Sequence, residues 1–171
     1  FLDDDGNVIK GKSWSTSYAV GVPGTVAGFG YVHEKYGSQR WHTLLQPSIQ
    51  LAKYGHKIDY LNFSLLNSPY YKQYLSRDDV TKAIFYKDEG FKLGENFIQK
   101  DLASTLTRIA NYGYREFYEG KTSQYIIDCM ERTNGLISSV DLKNYRPIER
   151  DPIEFYYRDY RVITMPPSSS G

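Results

Sequence analysis

Ile153-Glu154-Phe155-Tyr156-Tyr157-Arg158-Asp159-Tyr160-Arg161-Val162-Ile163-Thr164 is where the pattern of the chain changes, and the reading of this stretch decides the fold class. Two runs rich in β-branched and aromatic residues flank the polar pair Arg158-Asp159, which predicts a β-hairpin. Upstream of Pro147 the apolar residues recur at helical spacing instead. The expected class is therefore α+β: helices over residues 25–145, then a hairpin at 152–165.

The helical part is punctuated by Tyr36-Gly37, Tyr54-Gly55 and Tyr112-Gly113, each read as a helix stop with glycine in a left-handed conformation. The first helix is expected from Thr25 to Tyr36, after a turn at Pro23-Gly24, with Thr25 as its N-cap. Ala27 and Gly28 would give it a small face for a neighbouring backbone. Trp41 to Leu45 reads as a short turn of helix and Pro47 to Tyr54 as a new one, because proline is disfavoured inside a helix. Tyr60 to Leu75 reads as helical with a kink at Pro69. Gln99 to Gly113 is the most regular, with Leu102, Leu106, Ile109 and Ala110 on one face and Arg108 opposite. Further helices are expected at Thr122 to Arg132, stopped by Asn134-Gly135, and at Val140 to Tyr145 with Ser139 as N-cap. The only composition shift is the charged, proline-containing run from Arg146 to Pro152, so residues 1–171 are expected to form one domain.

Composition narrows the function classes. A chain of 171 residues, 40% hydrophobic and 24% charged, can bury a core of ordinary size and is not disordered. Lys and Arg total 21 against 20 Asp and Glu, a net charge of +1. That removes the electrostatic term on which nucleic-acid binding depends, so the 17 tyrosines read as packing residues and no nucleic-acid partner is expected. No apolar run approaches the roughly 20 residues of a membrane helix.

Individual residues offer no complete site. His33, His42 and His56 fall on different predicted elements, so no metal is expected. Gly21-Val22-Pro23-Gly24 with Gly28 lacks both phosphate-loop fingerprints and reads as a tight turn. Ser168, Ser169 and Ser170 lack a nucleophile elbow and read as a polar loop capping backbone N–H groups. Cys129, between apolar neighbours, reads as core filler. Asp78-Asp79 and Asp88-Glu89 read as solvated surface.

Two glycine/proline blocks remain: Gly21-Val22-Pro23-Gly24-Thr25-Val26-Ala27-Gly28 near the start, and Met165-Pro166-Pro167-Ser168-Ser169-Ser170-Gly171, at which the chain reads as cut. The first is followed in order by Lys35-Tyr36-Gly37, Gln46-Pro47, Lys82-Ala83-Ile84-Phe85, Asp101-Leu102-Ala103 and Phe117-Tyr118-Glu119-Gly120. Gly135-Leu136-Ile137-Ser138, Asp141-Leu142, Pro152-Ile153 and Tyr157-Arg158 complete the series before the second block. It resembles an internal segment of the large subunit of the γ-glutamyltranspeptidase family along nearly the whole chain. Within that resemblance Gly21, Pro23, Gly24, Gly28, Pro166, Pro167, Ser169, Ser170 and Gly171 are structural motif residues. Ser168 stands where the family has a third proline, which loosens the turn.

The resemblance implies an Ntn-hydrolase of αββα architecture. Its precursor cuts itself, and a threonine at the start of the small subunit attacks the γ-glutamyl amide of glutathione-like substrates to form an ester, with its own α-amino group as base and no cofactor. By the same resemblance the nucleophile, the oxyanion glycines and most substrate contacts belong to the small catalytic subunit, the partner of this segment. The arginine that holds the substrate carboxylate lies upstream of the region matching Phe1. No catalytic or substrate-binding residue is then expected within this segment, which is scaffold, and the isolated chain is expected to be inactive. The family resemblance also implies a periplasmic, secreted or cell-surface location. The alternatives are a non-catalytic interaction module derived from the segment, or part of a related amide-hydrolysing enzyme, an acylase or a poly-γ-glutamate depolymerase. An uncovered Tyr160 to Thr164 strand edge would favour self-association.

Overall fold

The computed structural model describes residues 1–171. Nine α-helices precede a hairpin: α1 (Thr25–Tyr36), α2 (Trp41–Tyr54), α3 (Tyr60–Asn67), α4 (Pro69–Leu75), α5 (Asp79–Phe85), α6 (Lys100–Tyr112), α7 (Glu116–Glu119), α8 (Lys121–Arg132) and α9 (Ser139–Asn144). A short antiparallel ladder, β1 (His56–Lys57) with β2 (Asn96–Phe97), lies between helices. The hairpin is β3 (Ile153–Tyr157) with β4 (Tyr160–Thr164), paired Ile153↔Thr164 through Tyr157↔Tyr160. The class is thus α+β, mostly helical with a terminal strand pair, as the sequence predicts.

Two small cores hold the helices. In the first, α2 lies along α6 and buries Ile49 and Ala52 against Ala103, Ile109 and Ala110. The Trp41 indole N–H donates to the Ile109 carbonyl at 2.9 Å, and the Gln99 N–H donates to the Ala52 carbonyl at 2.9 Å. The second core joins α1 to α7, α8 and α9 through Ala27, Tyr118, Met130, Ile137 and Leu142. On α8, Thr122, Ile126 and Met130 recur every four residues, which turns one stripe inward. Between the cores, Phe97 is ringed by His56, Phe85 and Phe91. The Asn67 amide clamps the loop before β2, exchanging hydrogen bonds with the Phe91 backbone at 2.9 and 3.0 Å.

Several local expectations are corrected. Pro47 does not restart a helix; α2 runs through it, because the packing of Ile49 and Ala52 on α6 outweighs one lost backbone bond. Pro69, expected to kink a helix, divides two instead: Ser68 before it is extended (φ −61°, ψ 129°) and Pro69 opens α4. Gly55 and Gly113 end their helices at φ +87° and +82°, but Gly37 is extended at φ −66° and its N–H simply bonds the His33 carbonyl. The cap of α9 is Ser138 rather than Ser139, with Asp141 completing a reciprocal capping box. Asp78, read as solvated surface, caps α5 through the Thr81 N–H and pairs with Arg132 at 3.0 Å. Arg108, placed opposite the apolar face of α6, turns into the molecule and meets buried Glu116 at 3.1 Å.

The surface is far larger than the mass requires. A folded 19.8 kDa monomer is expected to expose about 8,600 Å², whereas this chain exposes 12546 Å², an excess of about 3,900 Å². Only 16 of 171 residues are buried, and all of β3 is exposed. One face of the hairpin carries Ile153, Phe155, Tyr157, Tyr160 and Val162, an apolar set with no layer packed upon it.

Candidate functional site

The first glycine/proline block is held by residues from the far side of the chain. Gly24, not Thr25, is the N-cap of α1, and it has no side chain with which to satisfy the first helical N–H groups. Tyr118 supplies the missing group. Its hydroxyl accepts from the Ala27 N–H at 3.1 Å and donates to the Pro23 carbonyl at 2.6 Å, so one phenol bridges the turn to the helix it starts. Burial pushes this phenol above its ordinary value of 10.0, while the Ala27 N–H pulls the other way.

Around that bridge, the Tyr145 ring stacks on Tyr118 with centroids 5.7 Å apart and planes 7° apart. The Tyr145 hydroxyl fills the space that a side chain on Gly24 would need. Arg115 lies over the Tyr118 ring, pairs with Glu119 and donates to the Lys143 carbonyl at 2.8 Å. The turn is thereby fixed to α7 and to the end of α9. Gly30 is equally constrained, because a side chain there would run into the Tyr114 ring. Gly28 is not: nothing lies within 4 Å of where its side chain would begin. The small inner face of α1 is Ala27 and Gly30, and the expected neighbour of Gly28 is absent from residues 1–171.

A second polar centre was not legible in the sequence. Glu116 is buried at 7% exposure and is fully engaged: Arg108 Nε donates to it at 3.1 Å, the Thr122 N–H at 3.2 Å and the Thr122 hydroxyl at 2.7 Å. Arg108 also donates to the Thr105 and Thr122 hydroxyls at 3.0 and 3.1 Å. With every group paired, the cluster fixes α6 to α7 and α8 and leaves no free base or nucleophile.

The second block lies beyond β4, away from the first, and no hydrogen bond joins the two. Pro166 is half-buried, while Pro167, Ser169, Ser170 and Gly171 are exposed. The Ser169 N–H bonds the Pro166 carbonyl at 3.0 Å in a turn that brings Gly171 back toward Thr164 and Met165. With Ile148, Arg150 and Pro152 this tail borders an open cleft of about 750 Å³. No imidazole or amine meets the serine hydroxyls. The segment leading into the hairpin is tied to α1 through Glu149, which accepts from Lys35 Nζ at 2.7 Å and from the Tyr31 hydroxyl at 2.6 Å. Those two bonds, Lys35 first, hold the Glu149 carboxyl below its ordinary value.

The remaining candidates have structural partners. His33 meets the Gln39 carbonyl at 2.7 Å and the edge of Trp41; His42 meets Gln46 at 3.1 Å; His56 abuts Phe97. Cys129 is half-buried, with Arg132 Nη2 at 3.7 Å from its sulfur. No helix is long and apolar enough to cross a membrane.

Comparison with known proteins accounts for both blocks and the stretch between them. The family model described as Gamma-glutamyltranspeptidase matches residues 1–171. The chain is similar to the glutathione hydrolase proenzyme of Escherichia coli (strain K12), at 40% identity over 100% of this chain and 30% of that protein. Among solved structures it is similar to Helicobacter pylori gamma-glutamyltranspeptidase, with a TM-score of 0.94 and 35% identity over 99% of this chain and 49% of that one. The Bacillus anthracis transpeptidase CapD gives a TM-score of 0.79 and 37% identity over 89% of this chain and 51% of that one. These structural neighbours are Ntn-hydrolases. The chain thus spans 29–30% of the length of the curated relatives it matches in full, among them the Pseudomonas sp. (strain A14) glutathione hydrolase proenzyme. With the fold, the turn and the ordered motifs all in agreement, the chain belongs to the gamma-glutamyltranspeptidase family, a family of enzymes.

Proposed function

We propose that residues 1–171 form a framework unit in the large subunit of an enzyme that transfers or hydrolyses the γ-glutamyl group of glutathione-like substrates. The observation that carries this reading is the match along the whole chain to a glutathione hydrolase proenzyme of more than three times its matched length. The uncovered surface and the fully engaged polar clusters support a framework role. In this reading the nucleophile is a threonine of a small subunit cut from the same precursor. Its hydroxyl attacks the γ-glutamyl carbonyl, its α-amino group takes the hydroxyl proton and gives it to the departing amine, and an ester remains. Water or an amino acid then resolves the ester. The chain's own residues supply shape: Tyr118 and Arg115 hold the turn before α1, and Glu149 holds the segment leading into the hairpin to α1.

The test is to quench the full-length protein during turnover of a γ-glutamyl anilide and locate the γ-glutamyl adduct by peptide mass spectrometry. An adduct on a threonine outside residues 1–171 is expected. An adduct on Ser169, Ser170 or Cys129 would overturn the reading. A second reading, a poly-γ-glutamate depolymerase, is favoured by the 38% identity over 156 residues to the Capsule biosynthesis protein CapD proenzyme of Bacillus anthracis. Competition between glutathione and poly-γ-glutamate on the same preparation separates the two. The isolated chain should also self-associate through its uncovered hairpin, so a clean monomer in light scattering at high concentration would count against that part.

A further inference from the structure

The helix α1 has two apolar faces. Its inner face, Ala27 and Gly30, is buried against Tyr118 and Tyr114. On the opposite side Gly28, Phe29, Val32 and Tyr36 recur at three- and four-residue spacing, and the three large residues are 66%, 53% and 69% exposed. A helix at a true protein surface turns charged or polar residues outward, and one that is apolar all round belongs inside a protein. The first acidic or basic residue of α1 other than histidine is Glu34, in its last turn, and Lys35 is already engaged by Glu149.

Gly28 refines the picture. A glycine in a helix interior costs about 0.5 to 1 kcal/mol relative to alanine, and nothing in residues 1–171 comes near enough to require it. Flanked by Phe29 and Val32, it makes a notch in an apolar ridge into which another element's backbone can settle. On α2, Leu44 and Leu51 are likewise open, 47% and 54% exposed.

Building on the reading of the chain as a framework unit, we propose that the outer face of α1, centred on the Gly28 notch, is covered in the mature enzyme by a segment of the same precursor outside residues 1–171. Two observations select this occupant over a second copy of the chain. The excess surface of about 3,900 Å² on this chain alone is several times the roughly 800 Å² per partner of a standard interface and exceeds the roughly 1,000–2,500 Å² per partner of most obligate ones. The relatives also carry more than twice the matched length as additional polypeptide, since the match covers 30% of theirs.

The test uses the full-length protein with a photoreactive benzoylphenylalanine in place of Phe29, prepared as a mixture of isotopically heavy and light molecules. Cross-links to peptides outside residues 1–171, with heavy joined only to heavy and light to light, are expected. Heavy-to-light cross-links into α1 of another copy, or no cross-link to any peptide, would overturn the proposal. As a milder probe, Val32→Cys in the full-length protein should react with a maleimide on the order of 10-fold more slowly in the native state than in urea. Equal rates would overturn it. Turnover of a γ-glutamyl anilide on the same preparations reports separately on the enzymatic reading: normal turnover with an unprotected thiol in the Val32→Cys variant rejects the interface alone, and absent turnover with a protected thiol rejects the function alone.

Discussion

Tyr118 performs the task that an N-cap side chain performs in most helices, from 91 residues away. Replacing it by phenylalanine keeps the stack on Tyr145 but leaves the buried Ala27 N–H without its acceptor. The expected loss is about 1 to 3 kcal/mol of folding stability, measured by urea unfolding of the full-length protein; a change within error would show that water or a shifted backbone replaces the hydroxyl. The glycines of α1 give a paired prediction. Gly30→Ala forces a methyl group into the Tyr114 ring and should cost about 1 to 3 kcal/mol. Gly28→Ala meets open space within this chain and should be neutral or stabilising there by up to about 1 kcal/mol, read by thermal melting of the isolated chain. Loss of stability from both would mean that Gly28 is packed within residues 1–171 after all.

The elements show where local chemistry was readable and where it was not. The boundaries of α1, the hairpin register around Arg158-Asp159 and the stops at Gly55 and Gly113 follow from spacing and turn residues that act within a few positions. The two prolines do not: Pro47 and Pro69 look alike in sequence, but only the first lies in a helix pressed against α6, and that contact decides its fate. Pro47→Ala should therefore restore a bond to the Thr43 carbonyl and raise stability by up to about 3 kcal/mol, while Pro69→Ala, at a helix start, should change it by less than about 1 kcal/mol. Equal effects in differential scanning calorimetry would show that α2 is not strained. The Glu116 cluster and the Tyr118 bridge were illegible for the same reason, since each unites residues that become neighbours only when the helices around them have packed. The tie between α1 and the segment leading into the hairpin has a pH signature. Glu149 titrates below its ordinary value of 4.5 because Lys35 and Tyr31 donate to its charged form. Its contribution is complete above 4.5 and is lost as the pH falls through the lowered folded value. On the alkaline side Tyr31 is raised above 10.0, chiefly by its hydrogen bond to Glu149, so the protonated phenol and the tie persist past that value. Acidification below 4.5 should loosen the hairpin relative to α1, as followed by amide exchange at Ile153 to Tyr157. In Glu149→Gln that pH dependence should flatten; an unchanged profile would show that Glu149 does not hold the hairpin.

At the scale of the whole molecule, the chain has the motifs and the fold of a gamma-glutamyltranspeptidase, but a surface that one compact monomer of its mass would not leave open. The hairpin's apolar face and the outer ridge of α1 belong to that surface, and alternation along the strands and helical spacing along α1 set which residues they present. What would cover them could not be read, because no further layer within residues 1–171 packs upon them. In the proposed reading this region supports a catalytic site without carrying the chemistry. A γ-glutamyl anilide presented to the purified chain, shown to be folded by circular dichroism, beside the full-length enzyme decides it. Product release by the full-length enzyme alone is expected; turnover by the isolated chain that disappears on Ser169→Ala or Ser170→Ala would overturn the framework role.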